Sequence, residues 1–196
     1  MNICIFGDSI TWGSFDPEFG GWATRLRNYF ESLQGDVQVY VLGVTGDTTT
    51  DLVRRFEVES RHRDSEIIVF AVGINDARSD YDTNELFVST DEVRHNLDLL
   101  VTSTQKFTNS IVFIGPTLVD ESKTIPVAWE QGVSYKNEHI EKVSREIMEY
   151  CEAHGIMYIP MDDLLVSSDL YDGVHPNMNG HNKMFMRIKP QVEELL

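Results

Sequence analysis

Cysteine is scarce. Cys4 and Cys151 are the two cysteines in 196 residues, with no CxxC pair and no metal-type spacing. Cys4 falls in the first apolar run and Cys151 in a late helical stretch, so both are expected as buried apolar residues and not as a disulfide. Basic residues are few as well: 16 Lys and Arg stand against 32 Asp and Glu, a formal net charge of −16. Such a balance opposes binding to a nucleic-acid backbone, which needs clustered Lys and Arg, and docking on anionic lipid. The charge reads as a solubilising surface. No stretch approaches the roughly 20 apolar residues of a membrane span. No basic leader followed by an apolar segment precedes the first apolar run, so the expectation is a cytoplasmic protein. Repeats, low-complexity tracts and linkers are also missing, and the length fits one domain over residues 1–196.

What the chain does have is a regular alternation of apolar runs and helical stripes. Strands are expected at 2–6, 37–42, 66–72, 110–115 and 156–161. Between them, Trp22 to Leu33 carries helical spacing and ends at Gly35-Asp36. Thr48 to Arg61 places Leu52, Val53 and Phe56 on one face. Ser89 and Glu92 fit a capping box ahead of the Val93, Leu97, Leu100, Val101 stripe. Ile140, Val143, Ile147 and Tyr150 mark a long helix that Gly155 terminates. A last helix runs from about Asn179, and Pro190 is expected to kink or break it. Five β-α units in a row imply an α/β fold with a mostly parallel five-stranded sheet covered by helices. Right-handed crossovers and a strand order of 2-1-3-4-5 follow, with the ligand crevice at the switch point beside the first strand.

Ser9 lies at that crevice, just past the first apolar run in Gly7-Asp8-Ser9. A serine hydroxyl is a weak nucleophile and needs a base, and the base needs an orienting carboxylate. Asp172 and His175, three apart with a glycine between them, could supply both from one loop. An acyl-transfer intermediate also needs fixed donors at its oxyanion. The Ser9 amide, the Gly46 amide and the Asn75 side chain are candidates at the ends of the first three strands. Glycine at 46 lets the backbone approach a substrate without a Cβ.

Four blocks now stand in order: Gly7-Asp8-Ser9, Gly43-Val44-Thr45-Gly46-Asp47-Thr48, Gly73-Ile74-Asn75-Asp76 and Asp172-Gly173-Val174-His175-Pro176-Asn177. They span nearly the whole chain and resemble the GDSL, or SGNH, hydrolase family of esterases and lipases. The resemblance implies Ser9 as nucleophile, His175 as base, Asp172 as its orienter, and Ser9, Gly46 and Asn75 as the oxyanion hole. It also implies a flavodoxin-like three-layer α/β/α fold, no cofactor, and a small-molecule acyl or acetyl ester as substrate. Two positions depart from the pattern: Ile10 stands where the family name has Leu, and Val41 where many members have Asn.

The other histidines fit blander roles. His62, His95, His139 and His154 are expected on solvated helical faces or ends. His181 is the nearest competitor, but with Asp172 and His175 it offers no metal-binding spacing. Asp8 and Asp76 are expected to shape their loops. Substrate choice falls to two variable stretches, 77–87 and 118–135, with Asp8, Arg78, Tyr81, Ile125, Trp129 and Tyr135 as candidate pocket residues. Two other functions fit the same fold: acyl transfer to an acceptor other than water, through the same residues, and a non-catalytic binding module, which would expect a damaged Ser, Asn, Asp or His position. The intact set weighs against the binding module, and only water exclusion by the loops separates hydrolysis from transfer. No interface signature stands out, and a homo-oligomer is compatible with the sequence.

Overall fold

The computed structural model describes residues 1–33 and 36–196. Five strands form one parallel sheet: β1 (Asn2–Gly7), β2 (Gln38–Gly43), β3 (Ile67–Ala71), β5 (Ile111–Ile114) and β7 (Met157–Ile159). Their order is β2-β1-β3-β5-β7, which is the expected 2-1-3-4-5 counted along the chain. β1 is an interior strand, pairing Ile5 with Val41 on one side and with Val69 on the other. A strand covered on both faces must be apolar throughout, and β3 is, from Ile67 to Ala71. Phe6, Phe56, Phe70 and Phe113 form a chain of rings across the core, with neighbouring centroids 5.0–6.0 Å apart.

Helices flank the sheet. α2 (Gly21–Ser32) packs on α7 (Met178–Glu193), and α4 (Thr90–Thr104) packs between α3 (Thr49–Arg61) and α6 (Asn137–His154). With the sheet these make the three layers that the alternation implied. The starts of α3 and α4 follow their caps: Thr48 and Asp51 close a capping box, and Ser89 accepts from the Glu92 amide. Gly155 ends α6 in the left-handed conformation. The Gly35 part of the stop expected after α2 lies outside the described residues.

Three expectations need correction. Pro190 sits inside α7 without ending it. It is exposed in the final turns, and the carbonyl it leaves unpaired belongs to Met186, also exposed, where water can serve as partner. His139 is buried at 3% exposure instead of solvated, because it shares an inward face of α6 with Val143 and Ile147. Burial pushes its imidazole below the ordinary value. Finally, the stretches 77–87 and 118–135 are not merely loops. They contribute β4 (Arg78–Asp80) and β6 (Val133–Tyr135), an antiparallel pair, and a one-turn helix α5 (Glu121–Thr124).

Candidate active site

The site is assembled at the carboxyl ends of β1, β2 and β3 and from the loop before α7. β1 stops at Gly7, where a Cβ would lie 2.2 Å from Thr11 Oγ1 and 2.4 Å from the Ala71 carbonyl, so only glycine fits. Asp8 then N-caps the short helix α1 (Ser9–Trp12), accepting from the Ile10 amide at 2.9 Å. This turn fixes Ser9, which is 5% exposed. Asp8 is itself buried, and that burial raises its carboxyl to about 7.

Ser9 Oγ lies 2.8 Å from His175 Nε2. His175 Nδ1 lies 2.7 Å from Asp172 Oδ2. The other Asp172 oxygen accepts the Val174 and His175 amides at 3.0 and 2.8 Å. Gly173, at φ +99°, turns the chain so that one carboxylate can meet both the ring and the main chain of the residue three ahead. Burial works to raise the Asp172 carboxyl, but the His175 bonds outweigh it and hold it below the ordinary value. An ionised Asp172 accepts, so Nδ1 carries the proton and the Nε2 lone pair faces Ser9.

Gly46 takes φ +85°, and nothing lies within 4 Å of where its Cβ would be. The conformation calls for glycine, and the space before it is open. Asn75 is 4% exposed; its Nδ2 donates to the Asp47 carbonyl at 3.0 Å, joining the Gly46 turn to the end of β3. Asp76 accepts from the Thr49 amide and hydroxyl at the start of α3. Burial raises the Asp76 carboxyl to about 6.

The six candidate pocket residues separate. Trp129 is half-exposed with its ring centroid 6.1 Å from that of His175. Tyr81 and Ile125 are exposed. Asp8 and Tyr135 are buried, and Arg78 is partly buried. Tyr135 is buried at 5% exposure and donates to Asn75 Oδ1, while Arg78 Nε donates to the Asn75 carbonyl.

Sequence reasoning missed three residues. Phe15 and Tyr171 stack at 4.2 Å, with the Phe15 centroid 5.3 Å from the His175 imidazole. Phe15 holds φ +63°, an uncommon conformation for a non-glycine residue. Single aromatics in loops carry no periodicity, so nothing in the sequence singled them out. Arg55 bonds Asp47 Oδ2 and the carbonyls of Gly7 and Leu42, tying the ends of β1 and β2 to the Gly46 turn. Its signal was a charge beside the apolar stripe of α3.

His181, the competitor, is fully buried. Its Nδ1 accepts from the Trp22 amide at 3.3 Å, and its Nε2 donates to the Ser14 carbonyl at 2.9 Å. Both nitrogens are therefore used in holding α2 and the loop after Ser9 to α7. Among the described residues, no group of three or more His, Cys, Asp and Glu could hold a metal ion. Cys4 and Cys151 are buried and unpaired. No helix among the described residues is long and apolar enough to cross a membrane.

The fold is thus an open parallel α/β sheet that brings a hydrogen-bonded serine, histidine and carboxylate together at its carboxyl edge. The same fold is found in a lipase/acylhydrolase from Enterococcus faecalis, with a TM-score of 0.78 at 22% identity, covering 100% of this chain and 96% of that one. It is also found in an alpha/beta hydrolase enzyme from the metagenome of Lake Arreo, Spain, with a TM-score of 0.76 at 18% identity, covering 100% and 96%. Residues 5–183 match the GDSL-like lipase/acylhydrolase family, and the chain belongs to it. It is a carboxylic ester hydrolase by that membership. A curated relative, an acetylxylan esterase of Geobacillus stearothermophilus, is 22% identical over 194 residues, covering 91% of this chain and 88% of its own.

Proposed function

We propose that the chain hydrolyses short acyl esters through a Ser9-His175-Asp172 triad and an acyl-enzyme. The observation that carries this reading is the unbroken hydrogen-bonded chain from Ser9 Oγ through both His175 nitrogens to Asp172. His175 Nε2 takes the Ser9 proton as Oγ bonds to the ester carbonyl carbon. The negative charge that develops on the carbonyl oxygen meets the Ser9 and Gly46 amides and the second Nδ2 hydrogen of Asn75, the first being bound to Asp47. The tetrahedral intermediate collapses, His175 gives its proton to the leaving alkoxide, and the acyl group stays on Ser9. Water then repeats the sequence, losing a proton to His175 and releasing the acid with Ser9 regenerated.

The leaving alcohol must lie beside His175, where Phe15, stacked on Tyr171, and Trp129 both approach the imidazole. Aromatic faces there suit a ring-shaped alcohol, and the relative that acts on acetylated xylan fits an acetyl ester of a carbohydrate. The net charge of −16 favours an uncharged ester. The test is hydrolysis of p-nitrophenyl esters of increasing acyl length by wild type and Ser9→Ala. Cleavage of the acetate, a fall with longer acyl groups and a folded, inactive Ser9→Ala are expected. A Ser9→Ala variant as active as wild type refutes the nucleophile.

A further inference from the structure

The two-stranded sheet stands apart from the main one, and its two facing residues reach back to one residue, Asn75. Arg78 on β4 is the register partner of Tyr135 on β6. Tyr135 Oη donates to Asn75 Oδ1 at 2.8 Å. Arg78 donates to the Asn75 carbonyl through Nε at 3.2 Å and through its own amide at 3.3 Å. Asn75 is thus held by its side chain from β6 and by its main chain from β4. We infer that the Arg78–Tyr135 pair is a clamp that sets the orientation of the Asn75 amide, with Tyr135 as the positioning residue. The inference rests on the proposed role of Asn75 as an oxyanion donor.

The physical argument begins with the amide. Its oxygen and nitrogen have the same shape and opposite chemistry, so a half-turn about the last torsion exchanges acceptor and donors. An oxyanion site needs the donor end fixed before charge develops, because a donor that must reorganise loses most of its value. A phenol with a proton can satisfy only the oxygen end while donating. Burial holds the Tyr135 phenol above its ordinary value, which keeps that proton in place. Oδ1 is then committed to Tyr135 and one Nδ2 hydrogen to the Asp47 carbonyl. The remaining Nδ2 hydrogen is the one available to substrate. The clamp is braced in turn: Thr124 of α5 donates to the Tyr135 carbonyl at 2.8 Å. Register matters, since a one-residue slip of β6 would put Ser134 opposite Arg78 and turn the phenol to the other face.

The test is a double-mutant cycle read with p-nitrophenyl acetate. Tyr135→Phe keeps the ring and its packing. It is expected to lower kcat about 10-fold or more, leave KM within about twofold, and leave the melting temperature within a few degrees. Asn75→Ala is expected to lower kcat by about 10² to 10³. The double variant is expected to match Asn75→Ala within about twofold, because a positioning residue has nothing left to position. The Asn75 Nδ2 proton signals in an NMR spectrum supply a readout independent of turnover: sharp and distinct in wild type, broadened or averaged in Tyr135→Phe. Unchanged kcat in Tyr135→Phe, or losses that multiply in the double variant, overturns the clamp. If Asn75→Ala retains full kcat, the oxyanion assignment falls and the clamp falls with it; if only Tyr135→Phe retains it, the clamp alone falls.

Discussion

Replacing Asp172 by asparagine exchanges one oxygen for an NH2 group and tests the site's logic most sharply. Asp172 Oδ1 receives the amides of Val174 and His175 at 3.0 and 2.8 Å. Both are donors, so the asparagine must keep its carbonyl oxygen there. Its NH2 group is then forced toward His175 Nδ1, which in the native protein is itself a donor at 2.7 Å. Two donors cannot face each other, so the imidazole must move its proton to Nε2. That nitrogen is the one that faces Ser9, and it can no longer accept. The change leaves the backbone bonds, the volume and the packing intact, so Asp172→Asn should unfold within a few degrees of wild type. Turnover should nonetheless fall by roughly 10⁴ at pH 7, the scale known for a triad carboxylate made neutral or removed. Asp172→Ala should be impaired on a similar scale, so the closer isostere gives no rescue. The assay is kcat for p-nitrophenyl acetate beside a thermal melt. If Asp172→Asn keeps more than about a tenth of wild-type turnover while Asp172→Ala is inactive, tautomer control is not what Asp172 provides.

Two further outcomes follow from the strand end that carries Ser9. Gly7→Ala drives a Cβ against the Ala71 main-chain oxygen at 2.4 Å, an obstacle that cannot swing aside. Overpacking of this kind destabilises by about 1–3 kcal/mol, or about 3–10 °C in melting temperature at this chain length, and a melt unchanged within 1 °C would contradict the geometry. Asp8→Asn keeps an N-cap acceptor but removes a buried carboxyl whose value is raised to about 7. Between pH ~4 and 7 the folded protein holds this proton while the unfolded chain has released it. Wild type therefore loses stability as pH rises through that window, and the asparagine variant does not lose this contribution. The stability gap in favour of Asp8→Asn should widen from pH 4 to 7, approaching at most about 4 kcal/mol, and level off above. A gap that is flat with pH in denaturant titrations would show that Asp8 is ionised throughout.

Much of this was legible before any coordinates. Strands such as β3, apolar on both faces, announce themselves as short unbroken runs, and their alternation with helical stripes points to a parallel sheet. The residues brought together at Ser9 each follow such a run, so finding the strands located the candidate site. The clamp on Asn75 was not legible. Arg78-Ser79-Asp80 and Val133-Ser134-Tyr135 are three residues each, too short for a period-2 pattern, and their pairing spans more than fifty positions. Tyr135 therefore read as part of a substrate wall. His139 could have been read correctly, since it lies four residues before Val143 on the same stripe. Pro190 followed a local rule that solvent at the end of α7 overrides.

The proposed nucleophile and its proposed base are 166 residues apart in sequence. Ser9 directly follows the first strand of the sheet, and His175 follows every strand of it. A growing chain can thus complete β1, β2, β3, β5 and β7 while its serine has no proton acceptor. His175 is brought to Ser9 by the segment that leads into α7, and α7 docks on α2 partly through His181. On the proposed mechanism, hydrolytic competence therefore comes only after the whole sheet has been made, and a chain cut short before the segment that leads into α7 carries an inert hydroxyl.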